Sequence, residues 1–324
     1  MRTIIFPLLL LTCGSHGAAV AQSFPSRPIA MIVADEPGSG LDYVARVSAK
    51  LLDEKLGQPI LIENHAGSNG VNAIRAALAK EAGSHRGHTI LIATPSIIIN
   101  ELINKTSAGS DVRRDFSPIT ALVEPYVSLY VNTSVKASNV RELVEWAMTN
   151  PGKISYASSG TGSEAQLLGE LFNQAAGINL RRADYNSPSN ALRSVGKNDD
   201  PMGFAPLISV IPLIREGKLR ILSILNKNRF SRLPGTQTVG ETLPNFEYPP
   251  LWYGYLMAGG DMNPRPLYRI HSELMSTMAT PTVRKSLEDL GLRSIGSTPK
   301  EFKSQIDSDF DAYANAIKIA KIAP

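Results

Sequence analysis

The sequence contains a single cysteine, Cys13, among its 324 residues, which excludes an intramolecular disulfide. Aromatic residues are also few at 6%, and the net charge of +4 is small, with no long basic run. This balance argues against a nucleic-acid partner, because such proteins carry a concentrated basic patch. After residue 11 no apolar run is long enough to cross a bilayer. Length and composition instead favour an α/β protein of two ordinary domains.

Motifs of familiar enzymes are missing as well. The sequence has no Gly-x-Ser-x-Gly turn, no His-Glu-x-x-His helix and no phosphate-binding loop with its lysine. His85 and His88 are three residues apart, but no thiol or carboxylate cluster accompanies them, so we predict no metal site. A serine nucleophile needs an activating base, and the sequence places none. We therefore predict neither a cofactor nor enzymatic activity.

The first residues have the layout of a secretory signal. Arg2 precedes an apolar run over residues 4–11, and Ala19-Val20-Ala21 supplies the small residues of a cleavage site. We predict a signal peptide over residues 1–21 and a mature protein in the periplasm. A lipoprotein signal ending at Cys13 is less favoured, because Thr12 is a poor residue before such a cysteine. A buried N-terminal helix is the remaining alternative.

Two stretches share the order strand, small-residue turn, helix. The first covers residues 29–52 with its turn at 37–40, and the second covers residues 153–172 with its turn at 158–163. A turn that opens a helix exposes unpaired backbone N–H groups, and glycine lets an anion approach them. We predict that the two turns face each other across a cleft, where a carboxylate or a phosphate could bind. Each turn alone is also compatible with a plain tight connection.

Strands alternate with helices along most of the chain, with one of the strands predicted over residues 178–183, and this alternation favours parallel sheets with right-handed crossovers. In such sheets ligands bind at the carboxyl ends of the strands, where residues 94–96 are also expected to lie. A capping box at residues 298–301 predicts a long terminal helix. The predicted buried stripe of that helix is Phe302, Ile306, Phe310, Tyr313 and Ile317.

The chain is expected to cross between its two domains twice. The apolar, strand-like stretch before residue 131 places the first crossing at residues 123–127, and the aromatic-rich residues 246–258 return the chain. The predicted first domain is discontinuous and consists of residues 22–124 and 250–324. The second domain is predicted to be residues 125–249.

One motif is compatible with an enzyme. Residues 160–165, GTGSEA, fit a dinucleotide-binding fingerprint, and the acidic Asp184 follows at about the expected distance. An exported protein would not normally meet a nicotinamide cofactor, and the turn is dense in hydroxyl groups where the fingerprint needs bare backbone. A secreted nucleotide-dependent oxidoreductase is therefore kept only as an alternative function.

Four segments and one helix cap carry a resemblance to a known family. The segments and the cap are VADEPGSGLDYVAR (33–46), GQPILIENHAGSNG (57–70), PGKISYASSGTGSEAQLLGELF (151–172), GKLRIL (217–222) and Ser297-Thr298-Pro299. From about residue 24 to its C-terminus the chain resembles the Bug family. These proteins are the extracytoplasmic solute-binding receptors of tripartite tricarboxylate transporters.

The resemblance implies a fold, a function and partners. The fold would be the type II periplasmic-binding α/β fold, a two-domain Venus flytrap with a parallel-rich mixed sheet in each lobe and the ligand cleft between the lobes. The function would be capture of a small organic acid by a monomer, which delivers it to the permease subunits in the membrane. A periplasmic ligand sensor that feeds a two-component kinase is an alternative that the sequence leaves open.

The resemblance also assigns ligand-binding residues by position. Asp42 matches the family's aspartate and would accept a hydrogen bond from a ligand hydroxyl or amine, while Tyr185 would cover the ligand. The residues expected to bind the ligand are Gly38, Ser39, Gly40, Leu41, Asp42, Ser96, Ser158, Ser159, Gly160, Thr161, Gly162, Ser163, Gln166, Tyr185 and Ala205.

The chain departs from the family pattern at several of these places. Asp35 and Glu36 stand where the family usually has apolar or aromatic residues, and two carboxylates there would repel an anion unless they are paired. Ala205 stands where an aspartate is often found, Gln166 replaces a common histidine, and Asp184 replaces a proline. These changes leave the ligand class open, so an amine- or amide-bearing ligand becomes more plausible than for a typical member.

Overall fold

The structure is a computed structural model. It describes residues 24–83, 87–104, 109–260 and 264–323. The predicted signal peptide, Cys13 and His85 lie outside these residues. Within them, no helix combines the length and the apolar character that crossing a membrane requires.

Strands and helices alternate through the described residues. The strands are β1 (Ile29–Val33), β2 (Ile60–Asn64), β3 (Thr89–Ala93), β4 (Phe116–Pro125), β5 (Val127–Asn132), β6 (Ser155–Ser158), β7 (Arg181–Asp184), β8 (Met202–Pro206), β9 (Leu219–Ile224), β10 (Tyr253–Ala258) and β11 (Leu292–Ser294). The helices are α1 (Gly40–Leu56), α2 (Val71–Ala82), α3 (Ser96–Ile103), α4 (Val112–Asp115), α5 (Val140–Thr149), α6 (Glu164–Ala176), α7 (Pro188–Lys197), α8 (Leu207–Arg215), α9 (Val239–Thr242), α10 (Pro264–Met278), α11 (Pro281–Asp289) and α12 (Pro299–Ile319). A 3₁₀ turn, Ser68–Gly70, precedes α2.

The first sheet, which with its helices we call lobe 1, has the strand order β11-β4-β10-β3-β1-β2 among the described residues. β1 runs parallel to β2 and β3, whereas β10 runs antiparallel to β3 and β4. Every residue of β1 is buried. Burial on both faces explains why Ile29–Val33 is an uninterrupted apolar run rather than an alternating one. The carboxyl ends of β1, β2 and β3 meet at one edge of this sheet.

The second sheet, with its helices lobe 2, has the strand order β7-β6-β8-β5-β9 in the described part of the chain. β6 runs parallel to β7 and β8, and β5 runs antiparallel to β8 and β9. The strands β2-β1-β3-β10-β4 of lobe 1 follow the same order, again with an antiparallel strand in fourth place. The two lobes therefore repeat one arrangement of strands. The domain boundaries drawn from the sequence stay a prediction.

The chain passes from lobe 1 to lobe 2 at Tyr126, between β4 and β5. The backbone N–H of Tyr126 donates to the carbonyl of Gly291 in lobe 1 at 2.7 Å, and its carbonyl accepts from the N–H of Leu207 in lobe 2 at 2.8 Å. These two bonds interrupt the strand-like stretch of residues 116–131. The stretch consequently forms two strands that belong to different sheets.

The terminal helix α12 begins at Pro299, behind the predicted capping box of Thr298 and Glu301. Its stripe is buried as predicted and contributes to the largest apolar core. The indole N–H of Trp252 donates to the Asp309 carboxylate of this helix at 2.7 Å. Helix α12 thereby holds the segment that returns the chain from lobe 2 to lobe 1.

The sequence pattern misplaced one strand and assigned nothing to another region. A strand was expected over residues 178–183, but β7 is Arg181–Asp184. The side chain of Asn173 accepts from the Leu180 N–H at 2.9 Å and donates to its carbonyl at 3.2 Å, so the backbone before β7 is held by a helix side chain. Helices α10 and α11 and strand β11 lie in a part of the chain for which the sequence pattern predicted no elements.

Candidate functional site between the lobes

A cavity of about 320 Å³ lies between the two lobes. Lobe 1 lines it with the loops after β1, β2 and β3, and lobe 2 lines it with the loops after β6 and β7 and the end of β8. This is where open α/β sheets bind ligands. Small-molecule pockets begin at about 300 Å³, so the cavity has the size expected for a small solute.

The turn after β1 is organised by its own side chains. Ser39 caps α1 and accepts from the Asp42 N–H at 3.1 Å, while the Asp42 carboxylate accepts from the Gly38 N–H at 2.8 Å. The same carboxylate also accepts from Arg46 Nε at 2.8 Å and from Asn64 Nδ2 at 2.9 Å. Burial alone would raise the pKa of Asp42, but these hydrogen bonds outweigh burial and lower it. Asp42 is therefore an ionised support of the turn.

The turn after β6 repeats this geometry with a neutral side chain. Ser163 caps α6 and accepts from the Gln166 N–H at 3.1 Å, and the Gly162 N–H donates to Gln166 Oε1 at 2.8 Å. Gly38 and Gly162 have φ values of +84° and +82°, a backbone conformation that favours glycine. Several amides of the predicted anion-binding turns are thus bonded within the turns themselves.

Direct contacts cross the cleft beside the cavity. Asn69 Nδ2 of lobe 1 donates to the Thr161 carbonyl of lobe 2 at 2.7 Å, and Ser159 Oγ donates to Asn69 Oδ1 at 3.4 Å. Glu36 of lobe 1 and Arg193 of lobe 2 form an ion pair at 3.9 Å. The lobes are therefore closed around the cavity.

The cavity wall is acidic. Asp35, Glu36 and Glu164 line it, and Arg193 is the cation among its described lining residues. Burial is the largest cause that raises the pKa of Asp35 to about 6, and burial likewise raises the pKa of Glu164. Glu164 Oε1 accepts from both the backbone N–H and the hydroxyl of Ser96, at 3.2 and 3.1 Å. A carboxylate of lobe 2 thus caps α3 of lobe 1.

The predicted ligand-binding residues fall into two groups. Those that line the cavity are Gly38, Ser39, Leu41, Ser96, Ser159 and Ala205. Those outside its lining are Gly40, Asp42, Ser158, Gly160, Thr161, Gly162, Ser163, Gln166 and Tyr185. A ligand contact stays a prediction for every one of these residues.

Tyr185 and Asp42 have internal partners instead of a place in the lining. Tyr185 Oη donates to Asp200 Oδ2 at 2.5 Å, and its ring packs against the cluster that contains Ala191 and Val195. Tyr185 is thus held by partners inside lobe 2, and its place over the ligand stays a prediction. Asp42 has its three donors described above, so both residues support the walls of the cavity.

Glu164 and Arg193 line the cavity but were not among the residues predicted from the sequence. Glu164 occupies the first position of a helix, where an acidic residue is favoured by the helix dipole alone. Its contact with Ser96, which is 68 residues away, depends on how the lobes close. Alignment of the two turns would have drawn attention to it, because Glu164 stands where the first turn has Gly40.

The sequence of this chain also matches those of known proteins. Residues 44–319 match the family described as tripartite tricarboxylate transporter family receptor. The chain belongs to this receptor family. The receptor is 27% identical to BugT of Bordetella pertussis over 316 residues, which cover 97% of this chain and 95% of BugT.

Solved structures have the same fold as this receptor. A structure described as a periplasmic transporter is 29% identical, has a TM-score of 0.85, and is matched over 93% of this chain and 99% of its own. Rpa4515 of R. palustris, solved with adipate, is 24% identical with a TM-score of 0.86, over 93% of this chain and 99% of its own. The predicted Bug resemblance and the predicted two-lobed α/β fold, with a mixed sheet in each lobe, are confirmed.

Membership of this family establishes the receptor's general function, which is solute binding for a tripartite tricarboxylate transporter. BugD, whose solved structure has the same fold, is described as a periplasmic binding protein. The sensor and oxidoreductase alternatives are not favoured. In particular, Asp184 of the dinucleotide fingerprint forms a surface ion pair with Arg182 at 2.8 Å. Glu164 also places a carboxylate at the helix N-terminus where that fingerprint would bind a pyrophosphate.

Proposed function

We propose that this receptor captures a small organic acid in the cavity between its lobes and presents the closed form to the permease subunits of its transporter. The observation that carries the proposal is the cavity itself, which both lobes line and across which they are hydrogen-bonded. That Rpa4515, a protein of the same fold, was solved with adipate supports an organic acid of similar size.

Binding alone accounts for such a site. Polar groups from both lobes line the cavity, including Ser39, Ser159, Asn186, Ser189 and Ser209. Hydrogen bonds to a charged group contribute about 1.5–3 kcal/mol each, and a micromolar dissociation constant corresponds to about 8 kcal/mol. About four to six such bonds leave a margin for the lost freedom of the solute and of the lobes.

Closure links the solute to the transporter. A solute that contacts both lobes binds the closed form more tightly than the open form, so it shifts the population towards closure. We propose that the permease subunits recognise this closed form, that the receptor acts as a monomer, and that it transforms no substrate. We further propose that it reaches the periplasm through a signal peptide removed after Ala21.

Mass spectrometry of the purified mature protein tests the proposal. We expect a small organic acid to be released on denaturation, and the same compound to bind to the refolded protein in calorimetry. Small-angle scattering should show a smaller radius of gyration with this compound than without it. Absence of any copurifying solute, together with no thermal stabilisation by a broad set of organic acids, would contradict the proposal. Loss of uptake after deletion of the gene would separate transport from sensing.

A further inference from the structure

The charge of the cavity is unusual for a site that takes an organic acid. Three lining carboxylates face one lining cation among the described residues, and that cation, Arg193, lies 3.9 Å from Glu36. Arg193 therefore balances Glu36, whereas Asp35 and Glu164 have no basic partner among the described lining residues. A solute that carries only carboxylates would meet two further negative groups here, and like charges repel strongly in a partly dry cavity.

Glu164 also occupies a place that suits a ligand carboxylate. The N-terminus of α3 offers the N–H of Ser96 and the positive end of the helix dipole, which together attract an anion. Both the N–H and the hydroxyl of Ser96 already donate to Glu164 Oε1. The protein's own carboxylate thus fills the anion position of α3, and it comes from the opposite lobe.

Asp35 approaches the same region from lobe 1. It follows β1, accepts from the Glu36 N–H at 2.8 Å and also interacts with the Ser39 hydroxyl. Asp35, Glu164 and Tyr253 all line the cavity, and the two carboxylates add to the larger effect of burial that raises the pKa of Tyr253. The two carboxylates, one from each lobe, therefore flank one region of the cavity beside Tyr253.

We propose that the solute carries a protonated amine as well as a carboxylate, and that the amine binds between Asp35 and Glu164. This inference rests on the proposed function and specifies its ligand class as an amino-carboxylate zwitterion. An ammonium group has three donors for the two carboxylates, and charge-assisted bonds of this kind are the stronger ones. The carboxylate of the solute would lie towards Arg193 and the N-terminus of α7, which line the cavity from lobe 2.

The amine also explains why two acidic groups are kept together in a closed cavity. Two buried carboxylates without a counter-ion disfavour closure, because each loses hydration and repels the other. An ammonium group between them reverses this repulsion only when the lobes meet. The ammonium group of the solute would then bind Asp35 of lobe 1 and Glu164 of lobe 2 at once and so stabilise the closed form.

The competing explanation is that protons, rather than an amine, neutralise the pair. The pKa of Asp35 is raised to about 6 by burial first, with Glu36 and Glu164 adding to the effect. The other titratable or charged groups that face this region are Tyr253, Tyr313 and Arg193. An amine favours the ionised pair, so its binding strengthens as the pH rises through about 6. A diacid needs the protonated pair, so its binding weakens over the same interval.

Chain-length-matched probes separate these two explanations. Succinate, glutarate and adipate would be compared by calorimetry with 4-aminobutyrate, 5-aminopentanoate and 6-aminohexanoate, at several pH values on either side of 6. We expect an amino acid to bind at least about tenfold more tightly than the diacid of its length, a difference of about 1.4 kcal/mol. Its affinity should also increase with pH.

Isosteric variants provide the second readout. Glu164→Gln and Asp35→Asn keep the shape and one acceptor oxygen for the Glu36 and Ser96 donors. Each variant should therefore fold but lose about tenfold or more in affinity for the amino acid and most of the pH dependence. The control is Asp309→Asn. Burial raises the pKa of Asp309 to about 6 as well, but its carboxylate accepts from Trp252 outside the cavity lining. This variant should leave both the affinity and its pH dependence unchanged.

Two results would overturn the inference. One is tight binding of a diacid, with no amino acid binding and an affinity that falls as the pH rises through 6. The other is a copurified solute without an amine. Either result leaves the proposed function intact, because a small organic acid would still occupy the cavity. Failure of the proposed function would instead appear as the absence of any bound organic acid.

Discussion

The turns after β1 and β6 have the same geometry but different chemistry. In each, a glycine with positive φ precedes a serine cap, and the side chain three residues after the cap accepts from the N–H of that glycine. The accepting residue is the charged Asp42 in lobe 1 and the neutral Gln166 in lobe 2. The first helical residue is Gly40 in lobe 1 and Glu164 in lobe 2.

The two turns show that the backbone geometry of a turn and the charge of its side chains are set by different residues. Hydrogen-bond acceptors at equivalent places are sufficient for the geometry, because the glycine N–H needs an acceptor and not a charge. The charge can then be set by what surrounds the turn. Arg46 and Asn64 accompany the aspartate, whereas Gln166 is buried and no cation of the described residues is bonded to its side chain. The side chain of the first helical residue takes no part in these turn bonds, so its identity can differ between the lobes.

Replacing the accepting side chains should give the largest and most unequal effects. Asp42→Ala leaves the Gly38 N–H without its acceptor, removes one of two acceptors of Asn64 Nδ2 and removes the ion-pair partner of Arg46. We therefore expect a loss of about 2–3 kcal/mol in the free energy of unfolding. Gln166→Ala removes one neutral acceptor and should cost about 1 kcal/mol. Urea denaturation of both variants measures the difference. Equal losses would mean that the charge of Asp42 has no structural role.

A side chain at Gly40 should interfere with closure. A Cβ there would lie 2.5 Å from Ile208 Cγ2 and 3.3 Å from Ser209 Oγ, both in lobe 2. The first residue of α6, by contrast, is Glu164, whose side chain fits in the cleft. Overpacking of this kind costs about 2 kcal/mol, so Gly40→Val should weaken solute binding about thirtyfold. Calorimetry measures this loss. The unfolding temperature without solute is the control, because an open form avoids the contact. Unchanged affinity would contradict the role of this contact in closure.

The two glycines with positive φ should differ in their effect on binding. Alanine at either position adopts an unfavourable backbone conformation and should destabilise the fold by about 1 kcal/mol. At Gly38 the added Cβ meets no atom of the described residues within 4 Å, but at Gly162 it lies 3.2 Å from Asn100 Nδ2 across the cleft. Gly162→Ala should therefore also weaken solute binding a few-fold, while Gly38→Ala should not. Thermal shifts with and without solute distinguish the two.

The smallest expected effect is on the pH dependence of stability. The pKa of Asp42 is lower in the folded protein than its usual value of 3.8. Its contribution to stability is therefore present above that value and is lost as the pH falls through the lower, folded pKa. Asp42→Asn should be less stable than the parent at neutral pH, and the difference should shrink in acid. Gln166→Ala should show a constant difference. Denaturation curves between neutral pH and about pH 3 measure both.

Local elements of this fold follow from local sequence. The strand-turn-helix units and the capped helix α12 depend on residues within a few positions of one another, such as Ser39 with Asp42 or Thr298 with Glu301. The start of β7 was misplaced because it depends on a side chain of α6. The break at Tyr126 depends on Gly291 and Leu207, which are far away in the sequence.

The same distinction applies to the candidate site. Both glycine turns could be placed at the edges of the lobes from their patterns, since each is a local motif. The partners of Asp42 include Arg46, one helical turn away, but also Asn64 of β2, which no local pattern identifies. The bonds between Glu164 and Ser96 exist only when the lobes are closed. The charge of the cavity wall therefore depends on contacts between distant residues, which the sequence pattern does not predict.

The two backbone bonds of Tyr126 have a mechanical consequence. One ties the crossing point to Gly291 in lobe 1 and the other ties it to Leu207 in lobe 2, so this residue has little room to move relative to either lobe. Opening is then expected to resemble rotation about an anchored pivot rather than separation of two free bodies. Small angular changes at this residue become large displacements at the outer rims of the lobes.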